Sequence, residues 1–212
     1  MIALIDYGMG NIRSVYNALQ RVGANVTVTN DPAIIKDADS IVLPGVGAFR
    51  KCMDNLNKLG LIEPVIDSIK QRKPYLGICL GLQILFTESE EFGIQKGLDI
   101  IKGRVVKFDS SLKEEGEFIK IPHMGWNQIK IKQAAPIFKG INSGDYFYFV
   151  HSYYPEVYDK EAIATTTYHG IEFVSSIWKE NVFATQFHPE KSQQKGLIIL
   201  KNFIELVNQN LF

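Results

Sequence analysis

The chain has 212 residues, 46% hydrophobic and 22% charged, the make-up of a globular protein large enough for one substantial α/β domain. Lysine plus arginine equals aspartate plus glutamate at 23 each, so no bulk charge argues for a nucleic acid or a membrane surface. Cys52 and Cys79 give neither a disulfide framework nor metal-ligand spacing, and the opening MIALIDYGMGN has no basic leader, so a reducing, cytoplasmic setting is expected.

In chain order, Ile2–Asp6 reads as a strand, and Gly8-Met9-Gly10-Asn11 turns it into a helix over Ile12–Val22 that Gly23 closes. Val26–Thr29 is the next strand. The G-x-G after the first strand is not a dinucleotide fingerprint, because Arg13 stands where a third glycine belongs and no acid ends Val26–Thr29. Asp31-Pro32 starts a short helix, and Ser40–Leu43 is a third strand. It leads into Pro44-Gly45-Val46-Gly47-Ala48-Phe49 and two helices, Arg50–Leu59 and Leu61–Arg72, the second with Pro64 in its first turn. This alternation predicts a twisted, mostly parallel central sheet with helices on both faces.

The stretch Lys73–Phe86, KPYLGICLGLQILF, stands out. Tyr75–Ile78 reads as a buried strand ending in Gly77-Ile78-Cys79-Leu80-Gly81, with an apolar segment of helical potential beyond. Strand, sharp turn with glycines two residues either side of a nucleophile, then helix is the logic of a nucleophile elbow. Cys79 would stand exposed at the carboxyl edge of the sheet, at the positive end of a helix that favours thiolate. A lone buried cysteine is the competing reading, and five residues do not decide between them.

Beyond the elbow, Thr87–Gly103 is polar and loop-like, and Glu88 and Glu90 fit a solvated face. Short strands follow at Arg104–Phe108, Phe118–Ile121, Gln128–Lys132, Tyr146–Val150, Ala162–Thr167, Phe173–Trp178 and Val182–Gln186, expected as antiparallel additions to the same sheet. Ser192–Val207 is the last helix. No linker or repeat divides the chain, so one domain over 1–212 is the expectation.

A catalytic thiol needs a base, and the base needs a group that fixes its tautomer. Of His123, His151, His169 and His188, only His188 has a suitably spaced acid, in Gln186-Phe187-His188-Pro189-Glu190. Pro189 biases His188 towards extended geometry, where residues two apart project to one side, roughly 7 Å apart at Cα. Glu190 can then reach the imidazole and leave its other nitrogen to Cys79. His123 has no acid nearby in sequence, His169 reads as a turn residue, and His151, at a strand end, suits substrate binding better than proton transfer.

With these residues assembled, the chain resembles the class I (triad) glutamine amidotransferases over nearly its whole length, and within them the glutaminase subunits of imidazole glycerol phosphate synthase. The resemblance rests on Asp6-Tyr7-Gly8-Met9-Gly10-Asn11, Pro44–Phe49, Gly77–Gly81, Pro122-His123-Met124-Gly125-Trp126-Asn127, His151-Ser152-Tyr153 and Gln186–Ser192. Leu82 departs from the usual methionine, a swap of similar volume. The resemblance implies a flavodoxin-like fold with Cys79, His188 and Glu190 catalytic and a thioester at Cys79. It implies an oxyanion hole from Gly45, Val46, Gly47 and Leu80, whose loop donor turns inward only when the partner is loaded. It also implies glutamine held by Gln83, Glu91, His151, Ser152 and Tyr153, with Glu91 on the α-ammonium. The implied partner is a HisF-like (β/α)8 cyclase subunit, joined as a heterodimer through Asn11, Met124, Trp126, Tyr148 and Lys191; for Trp126 and Tyr148 a core position is the competing reading. No cofactor or metal is implied.

Two other readings follow from the same residues. The same chemistry could serve a paralogous amidotransferase that modifies nucleotide sugars for surface polysaccharide. Alternatively the chain is a non-catalytic binding subunit or a free-standing cysteine hydrolase, against which stand the complete triad and the partner-like Pro122–Asn127 segment.

Overall fold

The computed structural model describes residues 1–114 and 116–209. Its first half follows the expected alternation: β1 (Ile2–Ile5), α1 (Ile12–Arg21), β2 (Val26–Thr29), α2 (Pro32–Asp37), β3 (Ser40–Gly45), α3 (Phe49–Lys58), α4 (Ile62–Lys70) and β4 (Tyr75–Cys79). Local chemistry explains the boundaries. The Asp31 carboxylate caps α2 by accepting from the Ala33 amide at 2.8 Å, with Pro32 in the first turn.

The elbow helix, α5, covers only Leu80–Gln83. The apolar run beyond it does not extend the helix because other amides claim its carbonyls. Leu98 N–H donates to Ile84 O at 2.7 Å, and the Ile100 and Ile101 amides donate to Leu85 O at 2.9 and 3.0 Å. The chain instead enters β5 (Phe86–Ser89), β6 (Gln95–Lys96) and β7 (Ile101–Lys107), so the Thr87–Gly103 stretch carries strands rather than loop alone.

The second half holds β8 (Lys113–Glu114), β9 (Glu117–Phe118), β10 (His123–Gln128), β11 (Lys130–Ile131), β12 (Tyr146–His151), β13 (Tyr153–Val157), β14 (Ile163–His169), β15 (Ile171–Lys179), β16 (Val182–Thr185) and α6 (Gln193–Gln209). The central sheet runs β11-β14-β15-β16-β4-β3-β1-β2, parallel from β16 to β2 and antiparallel from β16 to β11. Not every later strand joins it. β13-β7-β5-β6 form a second sheet, and β10 pairs with β12 in a separate ribbon. β13 escaped the sequence reading because Pro155 interrupts it; at the edge of the second sheet, a residue without an N–H is tolerated.

Alternation along the parallel strands sends side chains to two cores. Ile2, Leu4, Val42, Leu76 and Ile78 pack with α1 and α6 on one face. Ala3, Ile5, Ile41, Leu43 and Tyr75 pack with α2, α3 and α4 on the other. Both faces are therefore covered, and function is confined to the strand ends. Among the described residues no helix is long and apolar enough to cross a membrane.

Candidate active site

β3, β4 and β16 are parallel neighbours, so their carboxyl ends meet at one edge of the sheet, where α/β folds place their sites. β4 ends in Cys79, β3 places Gly45 opposite it, and β16 continues through Gln186 and Phe187 to His188.

Cys79 has φ +55° and ψ −102°, a sparsely populated backbone for a residue with a side chain. The flanking glycines explain how the turn closes. A Cβ on Gly77 would lie 2.4 Å from the Gly81 carbonyl oxygen, and one on Gly81 only 1.9 Å from that of Leu43. Strand and helix therefore approach too closely for any other residue. The sulfur is less open than the sequence suggests: Cys79 is 6% exposed, on the floor of a cavity of about 430 Å³. With a single turn of helix behind it, few aligned peptide dipoles act on that sulfur.

His188 is extended, as its proline neighbour demands, but Pro189–Lys191 curl into a 3₁₀ turn. The Glu190 carboxylate reaches the imidazole around this turn rather than along a strand. His188 Nδ1–H donates to Glu190 Oε1 at 2.7 Å, with both side chains buried. The β12 backbone fixes the pair: His188 N–H donates to Tyr148 O at 2.9 Å, while Ser192 Oγ donates to His188 O and accepts from Tyr148 N–H. His188 Nε2 makes no hydrogen bond to any described residue. Burial alone lowers the imidazole pKa, but the Cys79 sulfur and then Glu190 outweigh it and push it up to about 10.

Two consequences follow for titration. The stability that the imidazolium contributes is complete below the free histidine value of ~6.5 and is lost as pH rises through about 10. Replacing Cys79 by alanine removes the largest raising influence, so the His188 pKa falls. A ¹⁵N NMR titration of the imidazole reads this directly; an unmoved midpoint would mean that the sulfur does not act on that ring.

The remaining sequence candidates divide clearly. Val46, Gly47, Leu80, Gln83, Glu91, His151, Ser152 and Tyr153 line the Cys79 cavity, as does Lys191 at its rim. Gly47 holds φ +94°, and the Gly10 turn packs on the Pro44 carbonyl, so the N-terminal loop backs this segment. Glu91 Oε2 accepts from the Phe49 amide at the start of α3, and among the described residues Oε1 accepts no hydrogen bond. His151 faces the cavity with both nitrogens committed: Nδ1–H donates to Tyr153 O at 2.8 Å, and Nε2 accepts from His123 Nδ1 at 3.0 Å. Burial holds the His151 pKa well below the ordinary value and takes that of His123 down to about 3. Both stay neutral, so His151 anchors the pocket wall.

Of the five interface candidates, Lys191 lines this cavity. Trp126 and Tyr148 are register partners across the β10–β12 ribbon, with rings 6.2 Å apart. Lys191 Nζ sits 5.6 Å from the Tyr148 ring centre. Met124 is 62% exposed and Trp126 46%, which excludes a core role for the tryptophan. Asn11 is half-buried at the start of α1.

Gln186, absent from the sequence candidates, is fully buried and donates to Cys79 Sγ. The signal that could have found it is proximity in sequence, since Gln186 directly follows β16 and stands two residues before His188. No group of three or more His, Cys, Asp or Glu side chains able to hold a metal occurs among the described residues.

A buried cysteine on a glycine-clamped elbow, beside a carboxylate-tethered histidine where parallel strands end, is an arrangement able to carry out nucleophilic chemistry of the cysteine–histidine type. Residues 3–206 match the glutamine amidotransferase class-I family, and the chain belongs to that family. It is similar to the imidazole glycerol phosphate synthase subunit HisH of Syntrophotalea carbinolica, at 58% identity over 96% of this chain and 98% of that one. The subunit of the same name from Archaeoglobus fulgidus is 50% identical over 99% of this chain and 100% of its own. Among solved structures, PurLQS from Thermotoga maritima shares the fold with a TM-score of 0.71 at 18% identity, covering 100% of this chain and 98% of that one.

Proposed function

We propose that this chain, as one domain over 1–212, is the glutaminase subunit of an imidazole glycerol phosphate synthase in histidine biosynthesis. It hydrolyses L-glutamine to glutamate and ammonia and passes the ammonia to a (β/α)8 cyclase subunit docked as a heterodimer over the cavity. The observation that carries this reading is the convergence of Cys79 with the His188–Glu190 pair at the ends of adjacent parallel strands. Near-complete coverage at 58% identity to a HisH subunit supports the choice of pathway.

In this reading Cys79 Sγ attacks the side-chain carboxamide carbon, and the C–O π electrons move onto oxygen. Amides of Leu80 and of the Gly45–Val46–Gly47 segment receive that charge. Collapse of the intermediate breaks the C–N bond. His188 gives its proton to the departing nitrogen and then takes one from water, which opens the thioester and releases glutamate. Glu190 holds the ring in the required tautomer throughout. Glu91 takes the substrate α-ammonium through Oε1, while Gln83, Ser152 and Tyr153 hold the rest, with His151 behind them.

A partner follows from the product. Ammonia in neutral water is mostly ammonium, which has no lone pair for attack, so useful NH₃ must leave through a sheltered exit. Exposed Met124 and Trp126, with half-buried Tyr148, Lys191 and Asn11, combine aromatic anchors with a cation, the make-up of a binding centre. The test is a pull-down with the cognate barrel subunit, read out as glutamine-dependent cyclisation. Trp126→Ala should weaken association roughly thirtyfold. Failure of the wild-type chain to bind the barrel, or binding indifferent to Trp126, would reject this assembly.

A further inference from the structure

Besides the neighbouring His188 ring, Cys79 Sγ has a hydrogen-bond donor in Gln186 Nε2, at 3.5 Å. Gln186 Oε1 accepts from Gln83 Nε2 at 3.0 Å, and the same Gln83 nitrogen donates to the Tyr153 carbonyl at 3.0 Å. The polarity of this chain is forced. A backbone carbonyl only accepts, so Gln83 must turn its NH₂ towards Tyr153; that NH₂ also faces Gln186, which must answer with its oxygen. Only the Gln186 nitrogen remains for the sulfur. A donor there complements the charged, nucleophilic form of a cysteine.

The strained backbone of Cys79 gives this bond a further purpose. The elbow fixes the backbone of Cys79, and the place of its sulfur is then decided by which staggered χ1 position the surroundings favour. Gln186 is fully buried, and each end of its amide is engaged, so it is a rigid stop against which the sulfur rests. We infer that Gln186 is a positioning residue for Cys79, holding its sulfur in the attacking rotamer and tying that rotamer, through Gln83 and the Tyr153 carbonyl, to the wall of the substrate cavity. This rests on Cys79 being the nucleophile. Glutamine seated against Gln83 and Tyr153 then meets a sulfur whose place is set by the same hydrogen-bonded unit. Gln83 spends both amide hydrogens on this unit, so its oxygen is the atom left to face a ligand.

The test compares wild type, Gln186→Met and Gln186→Asn, each assembled with the cognate barrel subunit. Methionine keeps the volume and removes the donor; asparagine keeps the polarity and withdraws the donor by one methylene. Three quantities are read: kcat and KM for glutamine, the rate of Cys79 alkylation by iodoacetamide, and the thermal unfolding midpoint. Gln186→Met should lower kcat about tenfold to a hundredfold, as loss of a hydrogen bond to a charged group does, with KM within about twofold. Alkylation should slow in parallel, and Gln186→Asn should fall between the two. A purely structural glutamine would move the unfolding midpoint while leaving kcat per titrated site and the alkylation rate unchanged, and that result overturns the inference. If Gln186→Met does not fold, Gln186→Asn decides by the same criteria. Wild type without glutamine turnover would instead remove the proposed glutaminase function on which the inference rests, a separate failure.

Discussion

Replacing Cys79 by alanine should cut glutamine-dependent turnover of the assembled complex by at least about 10⁴-fold while leaving turnover on supplied ammonium salts intact. The size follows from the chemistry. Without the sulfur there is no thioester, and water must attack an unactivated amide directly, with only the oxyanion donors to help. The selectivity follows from the division of labour, since ammonia added to solution bypasses the subunit that makes it. Loss of both activities would mean that alanine damages the assembly. Survival of both would mean that the nucleophile lies elsewhere.

Gly81→Ala should be nearly as damaging by a different route. Its new Cβ would lie 1.9 Å from the Leu43 carbonyl oxygen, a backbone atom in the middle of the sheet that cannot swing aside. Either β3 or the elbow must move, at a cost of about 3 kcal/mol or more, and the Cys79 geometry goes with it. Chemical denaturation measures the first effect, and alkylation of Cys79 in the folded fraction measures the second. A variant with wild-type midpoint and wild-type turnover would show that the close approach of helix to strand is dispensable.

What could be read in advance separates along physical lines. The parallel half was legible because each of its elements declares itself locally: apolar runs of strand length, a capped Asp31-Pro32 start, a Gly23 stop. The elbow was legible for the same reason, since two glycines at fixed spacing report a steric demand whatever the rest of the chain does. The second sheet was hidden because its strands are short and β7 finds its β13 partner far along the chain. β5 is a strand because β6 and β7 lie on either side of it, and the amides that end α5 come from residues 98, 100 and 101. The Pro122–Asn127 stretch stands out as a motif, but its strand character depends on β12.

Within the site, Cys79, His188 and Glu190 could be named from residue type and spacing, yet their burial could not. Nor could the pairing of His151 with His123, which is set by the register Met124↔Val150 and Trp126↔Tyr148. Gln186 does not declare itself in the sequence, because a polar residue just past a strand resembles ordinary flanking sequence until the fold brings the sulfur within its reach.

The most direct measurement is an acid quench of the complex during glutamine turnover, followed by peptide mass spectrometry. A transient glutamyl group should appear on the peptide carrying Cys79 and vanish when glutamine is exhausted. A glutamyl group on any other residue, with Cys79 unmodified while glutamate accumulates, would contradict the account.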